Sequence, residues 1–214
     1  MVPILCLEGA SAVGKTTICK ELEKQYGAYI VPEVNLLFER PVDEQKNWYL
    51  NRQVERWKIA IEQSRNNEFV VLDGDIYQPF SYNWCFHFQV FGQTLSLLEA
   101  FYCEKLFYKE IGLPDCYLYL YTSNDTLRQR KEYDVTRRRG NFEKHIHITE
   151  PHKKYYAALN NVKVSYCTMI EANFVQETVE EIMDKVFSTN FNLHNRYDVK
   201  FLNEMIYWLK KNKA

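Results

Sequence analysis

The chain has 214 residues, with 27 Lys and Arg against 28 Asp and Glu, for a formal net charge of −1. A chain of this length can bury its own core as one domain, or as one domain with an appendage, and its near-neutral balance excludes a global field that recruits nucleic acid or membrane. No apolar run reaches the length of a bilayer span, the apolar start is too short for a secretion signal, and cysteines at 6, 19, 85, 103, 116 and 167 form no C-x-x-C pair, all of which suits a cytoplasmic protein with reduced thiols.

The first element is an apolar strand over 3–8, "PILCLE", and it runs straight into Gly9, Ala10, Ser11, Ala12, Val13, Gly14, Lys15, Thr16 and Thr17. Gly9 to Thr16 match G-x-x-x-x-G-K-[ST] in full. Glycines let successive backbone N–H groups turn inward as an anion nest, and a helix over 15–26, closed by Gly27, adds the positive end of its dipole. Lys15 reaches terminal phosphates as a point charge, and the Thr16 hydroxyl suits Mg²⁺.

A second strand, "AYIVPE" over 28–33, ends in Glu33, and a long helix across 43–67 carries Arg52 and Arg56. The third strand, "FVVLDGD" over 69–75, ends in Asp73, Gly74 and Asp75. In parallel sheets ligands bind beyond the carboxyl ends of the strands, so these carboxylates are candidates for holding a metal or accepting a proton. Strand ends are also simply where a chain meets solvent. From Arg65 to Lys105 there is no intervening Lys or Arg. That stretch offers Tyr77, Phe80, Tyr82, Trp84, Phe86 and His87, either as an acceptor wall or as core, ahead of a helix around 92–111.

Pro114 and Asp115 introduce a fourth strand, "CYLYLYT" over 116–122. The helix that follows, near 124–138, holds Arg128, Arg130 and Lys131, then Arg137, Arg138, Arg139 and Gly140. Such a run is either a solvated helix face or a lid that folds over phosphates, hinged at Gly140. The nearby His145, His147 and His152 lack a carboxylate or cysteine at zinc-ligand spacing. A fifth strand across 162–172 and a helix across 174–187 follow, and Val199, Leu202, Ile206 and Leu209 mark a C-terminal amphipathic helix. Alternating strands and helices predict an α/β fold with a parallel sheet covered on both faces.

Over most of residues 3–187 the chain resembles the thymidylate kinase and deoxynucleoside kinase branch of P-loop phosphotransferases. The likeness rests on the phosphate loop, the acidic end of the third strand, "PDCYLYLYT" leading to "LRQRK" and "RRRG", and "VSYCTMIEANFVQETVEEI". It implies a three-layer P-loop NTPase fold with a five-stranded parallel core and an arginine-rich lid at about 128–147. Residues 1–190 would form this domain and 191–214 a helical extension packed on it. It also implies ATP as donor, Mg²⁺ on Thr16 and Asp73, Arg128 on the nucleotide side, and adenine near Glu171–Asn173. Catalytic candidates are then Lys15, Glu33, Asp73, Asp75, Arg137, Arg138 and Arg139. Two departures fall on the acceptor side. Gly74 stands where the family has an arginine after the acidic residue, and Pro32 precedes Glu33 where the family reads Glu-Pro.

The cation-poor stretch favours a neutral hydroxyl acceptor, a nucleoside or an antibiotic, with Tyr77, Phe80 and Trp84 as its wall. Arg52 and Arg56, with Arg40, keep a nucleoside monophosphate open as the alternative. A P-loop ATPase with no small-molecule acceptor is a third reading. A GTPase is disfavoured, since no Asn-Lys-x-Asp segment occurs. Partners expected are a small-molecule acceptor and, as an open option, a second copy of the chain in a homodimer. Nucleic acid and membrane are not expected.

Overall fold

In the computed structural model, which describes residues 1–89, 92–134 and 142–214, the apolar runs become five parallel strands. These are β1 (Ile4–Gly9), β2 (Tyr29–Val31), β3 (Val70–Asp73), β4 (Cys116–Tyr121) and β5 (Cys167–Glu171), in the order β2-β3-β1-β4-β5. β1 is central, with Leu7 opposite both Asp73 of β3 and Leu118 of β4. Parallel strands need crossovers that lie on the sheet faces, so both faces are buried and side chains alternate between two cores.

Leu5, Leu7, Val71, Leu118 and Leu120 point into one layer, where they meet α1 (Lys15–Tyr26), α7 (Phe142–His147) and α9 (Val175–Ser188). Leu127 of α6 (Asn124–Tyr133) joins them. Ile4, Cys6, Leu72, Tyr117 and Tyr119 point the other way. They meet α3 (Trp48–Gln63), α4 (Gln78–Cys85), α5 (Leu95–Phe107), α8 (Thr149–Val162) and α10 (Val199–Lys211). Much of the high aromatic content is spent in this second layer, where tyrosine hydroxyls find partners inside the core. Tyr102 donates to Ile76 O at 2.7 Å, and Tyr117 and Tyr156 donate to Asp75.

Several boundaries differ from the sequence expectation, each for a local reason. The helix expected from 43 starts at Trp48, because residues 43–47 are all exposed and give the core nothing. A short α2 (Val34–Leu37) precedes it. The helix expected from 92 starts after Thr94, whose hydroxyl accepts from the Leu97 amide at 3.2 Å. α4 and α8 are additional helices. Each has a proline in its first turn, Pro79 and Pro151, where a missing N–H costs nothing. α8 runs on to Val162, so β5 begins at Cys167 rather than 162, and the Asn160 side chain bonds both N–H and C=O of Cys167 at 2.8 Å.

The C-terminal segment is pinned by a buried ion pair. Arg196 reaches Asp115 at 2.6 Å and Val2 O at 2.8 Å, while its own carbonyl accepts from Leu113 N at 2.7 Å. Phe201, Leu202, Met205, Ile206 and Leu209 then enter the second core layer against α5 and α8. Among the described residues no helix is long and apolar enough to cross a membrane.

Candidate active site

The turn from β1 into α1 forms one wall of a cleft of about 570 Å³. Gly9 passes so close to β4 that a Cβ would lie 2.3 Å from Leu120 O, and its φ is +152°, so no other residue fits. No side chain caps the start of α1, which leaves its first-turn amides facing the cleft that Ala12 to Thr17 line. The Lys15 ammonium donates to Gly9 O at 2.8 Å and lies 3.9 Å from both Glu8 and Glu33. Burial opposes its charge, but Glu8, Glu33 and Asp73 outweigh burial and raise its pKa.

Glu8 was not among the sequence candidates. It is buried at the end of β1, and its two oxygens accept from the amides of Gly9 and Asp75, each at 2.8 Å. It thereby ties the phosphate loop to the loop after β3. The signal was present in the sequence, since Glu8 is an acidic residue closing an apolar strand, just as Glu33 and Asp73 are.

Thr16 donates its hydroxyl to Asp73 Oδ2 at 3.2 Å, while Asp73 Oδ1 is buried without a hydrogen-bond partner among the described residues. Burial pushes the Asp73 carboxyl above its usual range, with Lys15 and Arg56 pulling the other way. An orphaned carboxylate oxygen beside a hydroxyl, in reach of a phosphate loop, is an oxygen donor set that fits Mg²⁺. Glu33 sits on the rim of the same cleft, partly exposed.

Tyr49, Gln78, Tyr82 and His152 line the far side of the cleft. The Tyr49 hydroxyl donates to Gln78 Oε1 at 3.1 Å, and burial pushes its pKa up to about 12, so it stays neutral. His152 lies between Ser81 Oγ and Tyr119 Oη, each at 3.2 Å, and burial lowers its pKa to about 4. It is neutral at physiological pH.

Of the other expected site residues, Asp75 lines the cleft with its oxygens already engaged, and Tyr77, Phe80, Trp84 and Arg52 lie outside its lining. Tyr77, Phe80 and Trp84 are buried in the core, because they sit on the inner side of the α4 segment while Gln78 and Tyr82, one turn apart, face the cleft. Asp75 has its oxygens occupied by the Tyr77 amide at 2.9 Å, Tyr117 Oη at 3.1 Å and Tyr156 Oη at 2.9 Å. It is placed as a strut, with burial raising its pKa to about 7. Arg52 pairs with Glu55 at 2.7 Å and stacks over Phe38 and Trp48, outside the cleft lining.

Arg128 turns toward Asp125 and Glu143. Arg130, on the face of α6 that buries Leu127, instead takes the place beside the phosphate loop. It donates to Val13 O at 2.7 Å, Ala172 O at 2.7 Å and Asn173 O at 2.9 Å. Together with Phe174 it borders a second cavity of about 270 Å³ next to Gly14 and Thr17. Arg137, Arg138 and Arg139, the core of the expected lid, lie outside the described residues.

A five-stranded parallel sheet with a phosphate loop after its central strand is the fold of P-loop nucleoside and nucleotide kinases, and known structures of that class share it. Deoxyadenosine kinase from M. mycoides, solved with the products dCMP and a flexible dCDP, aligns at 20% identity and a TM-score of 0.55, over 87% of this chain and 100% of that one. The same enzyme with bound dATP aligns at 18% identity, also at 0.55. Thymidylate kinase from Candida albicans aligns at 13% identity and a TM-score of 0.59, over 87% of this chain and 92% of that one. Neither a protein-family model nor a curated protein matches the sequence.

Proposed function

We propose that the protein is an ATP- and Mg²⁺-dependent kinase that transfers the γ-phosphoryl group to a hydroxyl of a neutral small molecule, with nucleosides as the first class to test. The observation that carries this reading is one cleft in which, among the described residues, a phosphate loop faces a wall that carries carboxylates and no lysine, its one arginine being held by backbone and amide oxygens. Among the described residues Glu8, Glu33 and Asp75 line it with Lys15 and Lys20 on the loop side, and across from the loop the basic groups are His145, a neutral His152 and an Arg56 held by neutral oxygens. A monophosphate acceptor would bring about two negative charges to that wall and needs free Arg or Lys to hold it. A neutral alcohol needs a base and hydrogen-bonding groups, which Glu33, Tyr49 and Gln78 supply.

In this mechanism the loop amides and Lys15 hold the donor phosphates, and Thr16 and Asp73 hold Mg²⁺. The metal, when bound, neutralises charge on the phosphate oxygens. The cavity between Arg130 and Phe174 takes the donor base. The acceptor hydroxyl enters from the side of Gln78 and Tyr82. Its oxygen bonds to the γ-phosphorus as the bond from that phosphorus to the β–γ bridging oxygen breaks, and Glu33 takes the hydroxyl proton. The arginine triplet 137–139, outside the described residues, is proposed to neutralise charge on the transferring group. Replacing all three should lower kcat far more than it weakens ATP binding.

The test is acceptor-dependent release of ADP across nucleosides, nucleoside monophosphates and hydroxylated antibiotics. Turnover with a nucleoside or an antibiotic supports the proposal. A monophosphate as the best acceptor selects the thymidylate kinase type of reaction, the reading that the Arg56 guanidinium in the cleft lining favours. ATP turnover that is indifferent to every acceptor selects an ATPase.

A further inference from the structure

Arg56 projects from the middle of α3 and is 1% exposed, a full charge in the interior. Every hydrogen-bond partner it has is a neutral oxygen. Nη1 donates to Gln53 Oε1 at 2.8 Å, and Nη2 reaches Asp73 O at 2.7 Å, Gly74 O at 2.9 Å and Val31 O at 3.4 Å. Nε is buried without a partner. Burying a guanidinium this way is costly, so its position calls for a role.

That role follows from where the three carbonyls stand. β2 and β3 pair up to Val31 and Leu72, and the ladder between them stops there. Glu33 and Asp73 are carried by the chain ends just past that last pair. Gly74 prevents the end of β3 from supplying a brace of its own. Its φ is +85°, and a Cβ there would lie 3.4 Å from Glu33 Cγ and 3.8 Å from Glu8 Oε2. A Cβ at 74 would only touch Glu33, so it is the positive φ that disfavours a side chain there, whereas the Arg56 guanidinium arriving from α3 reaches the same carbonyls.

We infer that Arg56 is a positioning residue whose planar guanidinium, anchored through Nη1 on Gln53, uses Nη2 to splice the ends of β2 and β3 beyond their last pair, and so holds Glu33 and Asp73 at their working separation. The inference rests on the kinase reading for its kinetic consequence, but its structural consequence stands alone. Arg56→Lys keeps the charge and loses the planar guanidinium, Arg56→Met loses both, and Gln53→Leu removes the Nη1 tether together with the Gln53 bond to Tyr49.

With the best acceptor, Arg56→Lys and Arg56→Met should both lower kcat by about 10- to 100-fold, as a displaced reacting group does, with acceptor KM and ATP affinity nearly unchanged. Gln53→Leu should show the same pattern, more weakly. Amide hydrogen exchange should rise in peptides spanning 31–35 and 73–75 in all three. Wild-type kcat in Arg56→Lys would assign the effect to charge and overturn the brace, and a change confined to acceptor KM would make Arg56 a binding residue. If Arg56→Met does not fold, the other two variants carry the comparison. A wild-type protein without any acceptor sinks the kinase reading, whereas unchanged exchange in the variants sinks the brace, whatever the acceptor proves to be.

Discussion

At the scale of single residues, Lys15 is surrounded by Glu8, Glu33 and Asp73, which hold its charge in place, and the proposed function gives that charge the donor phosphates as well. Lys15→Ala should cut phosphoryl transfer by about 10² or more while the chain still melts cooperatively, checked by ADP release and circular dichroism. Glu33→Gln should cost roughly 10²–10⁴ in kcat with ATP affinity retained, as loss of a general base does. Asp75→Asn should behave in the opposite way, lowering stability and sparing kcat, because its oxygens serve Tyr117 and Tyr156. A fall in kcat for Asp75→Asn alone would reassign the base.

His152 makes a pH-dependent contribution of known sign. Its folded pKa is about 4 and its unfolded value is near 6.5, so between these the unfolded chain binds a proton that the folded one refuses. Its contribution is complete above about pH 6.5 and is lost as pH falls toward 4. Relative to His152→Gln, the wild type should lose about 3 kcal/mol across that window, measured by urea unfolding at several pH values.

At the scale of elements, the approach to β4 depends on one ion pair. Asp115 and Arg196 are both nearly inaccessible, and Asp115 also accepts from the Ile4 amide at 2.7 Å. Arg196→Met leaves that carboxylate buried without its cation, which should cost about 3–5 kcal/mol. The double variant with Asp115→Asn should recover part of the loss, because no lone charge remains. A loss in the double variant equal to the sum of the losses in Arg196→Met and Asp115→Asn, in denaturant titrations, would show that the pair is uncoupled. The same scale explains the polarity of the far side of the cleft. α4 presents Gln78 and Tyr82 to the cleft and Phe80 and Trp84 to the core, so its polarity toward a ligand is set by rotation of a single short helix.

For the molecule as a whole, α10 completes the core layer that backs the far side of the cleft. It packs on α5 and α8, and the Asn212 carbonyl beyond it accepts from Trp84 Nε1 at 3.1 Å. Removing residues 199–214 should expose the apolar faces of α5 and α8. Cooperative melting and acceptor-dependent turnover should then be lost together, with dye binding to exposed apolar surface as the readout. A truncated chain that melts at the wild-type temperature would make α10 peripheral to the fold.

The sequence by itself determined what depends on neighbours along the chain. The phosphate loop is legible because glycine spacing and a following helix are local geometry, and the strands because buried parallel strands read as short apolar runs. The acidic ends of those strands marked Glu33 and Asp73, and Glu8 carried the same mark. Tertiary structure decided the rest, because it joins segments far apart in sequence. Arg128 and Arg130 are chemically identical and two residues apart, yet only Arg130 lies on the face of α6 that meets Val13 and Ala172. Tyr77 and Tyr82 differ in the same way, one in the core and one at the cleft. Arg56 reads in sequence as one charge on an amphipathic helix. Its meaning comes from the carbonyls of Val31, Asp73 and Gly74, which only packing of α3 against two strand ends brings within reach of one guanidinium.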